Sequence, residues 1–220
     1  MRLELIYGLR LLIITFLAYV PTVTFSGWFT AWVAKKCDDD LPERFGFLTF
    51  DPFAHFNIFG FSILLLNEFF GNYIPFLKNM PGFGRFIFLD PQSTGGKFKI
   101  FVEFFARAFA HLLMLTFAFC ILILVFKWLS INTNDANSLL VSCKDILFFF
   151  FDQNRILCNI YLLFAIVDSI CFFYEIPRLL SMTYFMILIA VILVLQEPLA
   201  YMLGWYLLGL DVILTKVIYG

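Results

Sequence analysis

Charge is what this chain has least of. Only 14% of its 220 residues are Asp, Glu, Lys or Arg, against about 25% in soluble domains. With 62% hydrophobic residues, the chain is not an ordinary soluble domain. The few charges are bunched, and the long uncharged runs between them are the mark of spanning helices. Histidine is nearly missing, with His55 and His111 alone. The five cysteines (Cys37, Cys120, Cys143, Cys158, Cys171) include no CxxC pair or other ligand spacing. A net charge of −1 leaves no basic face for counterion release, so no nucleic-acid partner is expected. Phosphate-binding glycine motifs are absent too, since Gly82-x-Gly84 stops after two glycines. No internal repeat is visible, which argues against the inverted-repeat transporters.

What is there is phenylalanine, 32 residues of it, read here as lipid-facing surface rather than an aromatic cage. Cys120, Cys158 and Cys171 lie in apolar runs and act as small hydrophobes; Cys37 and Cys143 fall in loops, and free thiols are expected. Helices are expected near residues 11–34, 52–70, 108–126, 155–174, 179–195 and 198–214. Pro21 should kink the first. Asp51 and Pro52 read as an N-cap and first helical residue of the second. Residues 97–107 form an amphipathic lead-in to the third, and Asp168 interrupts the fourth. Residues 67–99, punctuated by Gly and Pro, read as an irregular hairpin or re-entrant loop. The expected fold is all-α: one integral membrane domain over residues 1–220, with five to six membrane segments. Basic residues occur in every loop, so orientation is not set by charge.

Residues 38–61 read DDDLPERFGFLTFDPFAHFNIFGF and join two apolar runs at a membrane boundary. Leu48, Thr49, Asp51, Pro52, His55, Asn57 and Gly60 match the pattern LTxNPxxHxDPxGT. Ala31 to Ala34, Asp38, Asp39, Pro42 and Gly46 fall in register with the helix end and loop that precede that pattern. On these residues the chain resembles the site-2 proteases, intramembrane zinc metallopeptidases. A looser match sets Pro81-Gly82-Phe83-Gly84 through Asp90-Pro91 on the family's FGWAKPVPxNP loop, and residues 106–111 on AGPxxN, with His111 in place of Asn. A third sets residues 167–178 on NLLPIPPLDGGR, with Glu175 near the ligand Asp and Arg178 on its Arg.

The resemblance implies a site-2-protease-like core, with Ser26, Gly27 and Thr30 standing where the family has the His, Glu and His of HExxH. That change removes two imidazole ligands and the general base together. These three positions and Glu175 are therefore vestigial, no residue is assigned a catalytic role, and no metal ligand is assigned. His55, His111, Asp168 and Asn57 form a second candidate set, as polar residues within membrane segments. Two histidines with Glu175 or Asp168 would make a two-His-one-carboxylate zinc site. The plainer reading is two neutral imidazoles hydrogen-bonded between helices, and no cofactor is expected. Asp168 could pair with Arg107 or serve as a helix–helix hydrogen bond. Asp38 to Asp40 read as a solvated loop.

The function expected is that of a catalytically inactive site-2-protease-like protein in the lipid bilayer. It would bind or scaffold a membrane-protein partner through a groove that once admitted a substrate helix. The alternatives are an active metalloprotease with non-standard ligands, a small proton-linked transporter using His55, His111 and Asp168, and a structural subunit of a membrane complex.

Overall fold

The computed structural model describes residues 2–71, 73–74, 80–131, 138–174 and 182–219. Seven helices cover most of them: α1 (Arg2–Lys36), α2 (Leu41–Arg44), α3 (Pro52–His55), α4 (Ile58–Phe70), α5 (Lys97–Ile131), α6 (Ser138–Phe173) and α7 (Met182–Tyr219). No strand occurs among the described residues. Among the described residues three helices are long and apolar enough to cross a membrane, over Gly8–Lys36, Lys97–Lys127 and Cys143–Phe173. Ile58–Phe70 and Pro198–Leu214 are shorter apolar stretches.

The boundaries differ from the sequence reading in instructive ways. Helix α1 starts nine residues earlier than expected and runs unbroken through Pro21. The amphipathic lead-in and the third helix are a single element, α5, because nothing between residues 107 and 108 breaks a helix. The fourth helix begins at Ser138 rather than residue 155. The expected fifth and sixth helices merge into α7, with Pro198 inside it; neighbouring helices and local adjustment make proline tolerable in membrane helices. Residues 179–181 lie outside the described residues.

The expected helix over 52–70 instead divides in two. Asp51 Oδ1 accepts from the Phe53 amide at 3.0 Å, and Pro52 follows it, so α3 starts as the sequence predicts. One turn later Asn57 is extended, and its Oδ1 accepts from the amides of Phe59 (3.0 Å) and Gly60 (3.3 Å). It is the N-cap of α4. At 13 residues, α4 is about 20 Å long, short of a hydrocarbon core of roughly 30 Å.

Helices α5 and α6 lie along one another, α1 crosses both, and α7 flanks α6. Small residues make this close approach possible. Ala31 and Ala34 on α1, Ala106, Ala108, Ala110 and Ala118 on α5, and Ala165 on α6 are all buried.

Segment 80–90, within the stretch read as an irregular hairpin or re-entrant loop, is neither helix nor strand. It threads along α1, from Gly82 beside Tyr19 and Gly84 beside Val23 to Ile87 against Ala31 and Asp90 against Asp39. Its backbone is fastened at intervals. The Tyr19 hydroxyl lies 2.9 Å from both the Asn57 and Phe83 carbonyl oxygens, and the Arg85 amide donates to the His55 carbonyl at 2.9 Å. Non-helical backbone is tolerated where protein covers it, and α1, α3 and α4 supply that cover over residues 82–85.

Acidic residues clamp the outer end of this segment, and one of them, Asp39, departs from the solvated loop expected for residues 38–40. Asp39 is fully buried. Its two oxygens accept from the amides of Leu41 and Asp90, each at 2.8 Å. Glu103, also fully buried, accepts from the Thr94 hydroxyl at 2.9 Å. Asp38 pairs with Lys99, and Asp40 with Lys35 at 2.7 Å.

Candidate functional site

Helix α1 has two faces of opposite character. Phe25, Trp28, Phe29 and Trp32 recur at helical spacing and form an aromatic stripe, extended by Phe50 stacked on Trp28 at 4.3 Å and Phe109 at 6.0 Å from Phe29. The other face carries Thr22, Ser26, Gly27 and Thr30, whose hydroxyl-bearing members are all buried. The hydroxyls turn back onto their own helix: Thr22 to the Ala18 carbonyl at 2.8 Å, Ser26 to Val23 at 3.4 Å, and Thr30 to Ser26 at 2.7 Å. This back-bonding satisfies them without a partner helix. It leaves Ser26 and Thr30 poorly placed to serve a ligand.

Gly27 is where the two candidate sets meet. A Cβ there would lie 2.9 Å from both Cγ and Cε1 of His55, and nearer still to Nδ1. The imidazole therefore rests on the glycine and fills the space that a side chain at position 27 would need. His55 is not part of a spanning helix, as the sequence suggested, but the last residue of one-turn α3. It is nevertheless 1% exposed. Its Nε2 lies 2.7 Å from the Thr49 carbonyl oxygen, which can only accept, so Nε2 carries the proton and Nδ1 holds a lone pair. Nδ1 is buried and has no hydrogen-bond partner among the described residues.

His111 is the second buried imidazole, at 1% exposure. Its Nδ1 donates to Asn154 Oδ1 at 2.9 Å, and Asn154 Nδ2 donates to Thr22 Oγ1 at 3.2 Å and to the Phe150 carbonyl at 2.8 Å. One chain of hydrogen bonds thus joins α5, α6 and α1. Tyr161 stacks parallel on His111 with ring centres 5.2 Å apart. One turn before His111, the Arg107 guanidinium lies 4.4 Å over the same tyrosine ring and donates to the Arg85 carbonyl at 3.3 Å. Arg107 does not pair with Asp168, and among the described residues it has no carboxylate within ion-pair distance. His111 Nε2 and Arg107 Nε are both buried without hydrogen-bond partners among the described residues.

The sequence-picked residues therefore fall into three groups. Gly27 and His55 touch, Ser26 and Thr30 line the same face, and His111 reaches that face through Asn154 and Thr22. Asn57 is spent as a helix cap, and its carbonyl meets the Tyr19 hydroxyl. Asp168 lies seven residues past Tyr161 on α6, about 10 Å along the axis. Glu175 lies outside the described residues. Arg107, Asn154, Tyr161 and Tyr19 complete the site. Arg107 and His111 share a face at i and i+4, as do Asn154 and Tyr161 at i and i+7, a spacing the sequence carried but which needs a partner helix to interpret.

The zinc expectation of the resembled family meets a donor set that does not fit it. Positions 26, 27 and 30 offer two hydroxyls turned onto backbone and a glycine covered by a ring. Among the described residues no three His, Cys, Asp or Glu side chains gather closely enough to hold a metal ion.

Two expectations follow. Asn154→Leu strands His111 Nδ1 in a buried setting, where an unmade hydrogen bond costs about 1–3 kcal/mol. His111→Leu similarly strands Asn154. The double variant removes both polar groups and should recover most of the loss, because replacing both partners is close to neutral. Thermal unfolding in detergent of the four proteins gives the coupling directly.

The second concerns acid. Burial holds the His55 imidazole below its ordinary value of 6.5, so the unfolded chain binds a proton more readily there. Stability from this residue is full above about pH 6.5 and falls as pH drops toward the folded value. The Tm of the His55→Asn variant should accordingly fall less between about pH 7 and pH 5 than that of the parent.

Neither a protein-family model, nor a curated protein, nor a solved structure matches this chain.

Proposed function

We propose that this chain is a catalytically inactive relative of the site-2 proteases. In this reading it retains the core of that fold and holds an unwound stretch of a single-span membrane partner. The observation that carries the reading is the outer edge of segment 80–90. Phe86, Ile87, Phe88 and Leu89 are non-helical, and their backbone groups have no hydrogen-bond partner among the described residues. Phe86 and Phe88 are 66% and 53% exposed, while Ile87 between them is buried. That alternation is that of a strand with one covered face and one free edge. Within a bilayer such an edge is costly unless a chain pairs with it, and strand addition is a general mode of peptide capture.

The loss of catalysis in this reading rests on position 27. A general base cannot occupy a place that the His55 ring fills, and Ser26 and Thr30 bring no imidazole.

A photo-reactive amino acid at position 86 or 88, in membranes from cells expressing the full chain, should crosslink to a single-span protein. One at exposed Phe117, on the far part of α5, should not. With the probe at position 86, Phe88→Pro deletes one free amide N–H and should abolish the crosslink, whereas Phe88→Leu, which keeps that N–H, should retain it. Equal crosslinking from 88 and 117 would sink the edge-capture reading. Stoichiometric zinc in the purified protein, or cleavage of a single-span substrate in detergent, would sink the inactive-enzyme reading.

A further inference from the structure

The end of the bundle opposite segment 80–90 contains a cleft that the reading above does not use. The beginning of α1, the end of α5 and the beginning of α6 meet there, enclosing about 500 Å³. Its walls include Ile14, Phe126 and Phe148, and its rim carries Arg10, Lys144 and Asp145. All three contributing helices begin or end a candidate span at this level, which puts the rim at the boundary between hydrocarbon and water. The volume lies within the range of small-molecule sites, roughly 300–1,000 Å³.

From this placement we infer that the cleft binds an anionic glycerophospholipid. The phosphate would sit between Arg10 and Lys144, with an acyl chain along Ile14, Phe126 and Phe148. Charge complementarity favours this occupant. Two cations from different helices face one carboxylate, which bonds Arg10 at 2.6 Å and lies 3.9 Å from Lys144. One positive charge is left over. Both cations are partly exposed, at 51% and 34% of their side chains, so a headgroup reaches them without disturbing the bundle. Basic pockets between membrane helices are a recurring site for anionic headgroups, and an apolar wall below the charges excludes a purely aqueous ligand.

Asp145 has a specific part in this site. It competes with the lipid phosphate for Arg10 and Lys144, so it lowers affinity while holding the rim together when empty.

The test is native mass spectrometry of the full chain released from nanodiscs of equal phosphatidylglycerol and phosphatidylcholine with matched acyl chains. The parent should retain phosphatidylglycerol preferentially. Arg10→Gln and Lys144→Gln should each reduce that retention about fivefold. Asp145→Asn should increase it, an effect opposite to that of losing a merely structural ion pair. Ile14→Trp, which fills the cleft and keeps both cations, should lose the lipid as well. Equal retention of the two lipids, loss of phosphatidylglycerol in Asp145→Asn, or its full displacement by millimolar inorganic phosphate would each overturn the proposal. The last outcome would make the site one for free phosphate.

Discussion

Gly60→Ala is expected to cost the fold about 3 kcal/mol or more, lowering Tm in detergent by roughly 6–12 °C. The reason is that the obstacle is backbone. A Cβ on Gly60 would overlap the Phe83 carbonyl oxygen and lie 2.9 Å from its carbon and 3.0 Å from its nitrogen. No rotamer change relieves such an overlap, so either α4 or segment 80–90 must move. Movement of the segment breaks the contact of Phe83 with the Tyr19 hydroxyl and pulls on the Arg85–His55 backbone bond. The damage therefore reaches the candidate site, although Gly60 is itself outside it. Gly204, around which a Cβ finds open space, provides the control. Gly204→Ala should leave Tm unchanged or raise it slightly, since Gly within a helix costs about 1 kcal/mol relative to Ala.

Local chemistry near residue 60 was legible because its signals are short-range. Asp51 before Pro52 predicts a capped helix start, and it is one. The glycine at 60 belonged to the matched pattern, and it has a reason to be glycine in this fold. The signals that failed were those that need a neighbour to interpret. Asn57 looked like a polar residue in mid-membrane, but it caps α4 because the backbone at that point is extended. Asp39 looked like one of three solvated acids, yet it is buried, because segment 80–90 brings the Asp90 amide to it. Pro198 looked like a boundary, and an uninterrupted helix runs through it. Proline marks ends reliably only where water can satisfy the freed carbonyl. Of the candidate site, the two histidines and Gly27 could be picked from sequence; the Arg107–Tyr161 and His111–Asn154 contacts could not, since they depend on which faces of α5 and α6 meet.

The sharpest consequence concerns position 27. Installing an HExxH motif by Ser26→His, Gly27→Glu and Thr30→His should give a protein that neither holds zinc stoichiometrically nor cleaves, and that unfolds well below the parent. The glutamate needs the volume that His55 occupies. Two new imidazoles would also replace hydroxyls now satisfied within α1, leaving buried donors at a cost of about 1–3 kcal/mol each. Gly27→Ala alone isolates the steric part. Overpacking of this kind costs about 1–3 kcal/mol, and most of that should disappear when His55→Ala is added, because the ring is what the new methyl strikes. A coupling of at least about 1 kcal/mol between positions 27 and 55, of stabilising sign in the double variant, is the expected result. Simple additivity would mean that the ring swings aside freely. In that event His55 would no longer exclude a side chain at position 27, and a glutamate there could be accommodated. The single and double variants, measured by thermal unfolding in one detergent, decide between a position 27 sealed by the His55 ring and one that admits a side chain.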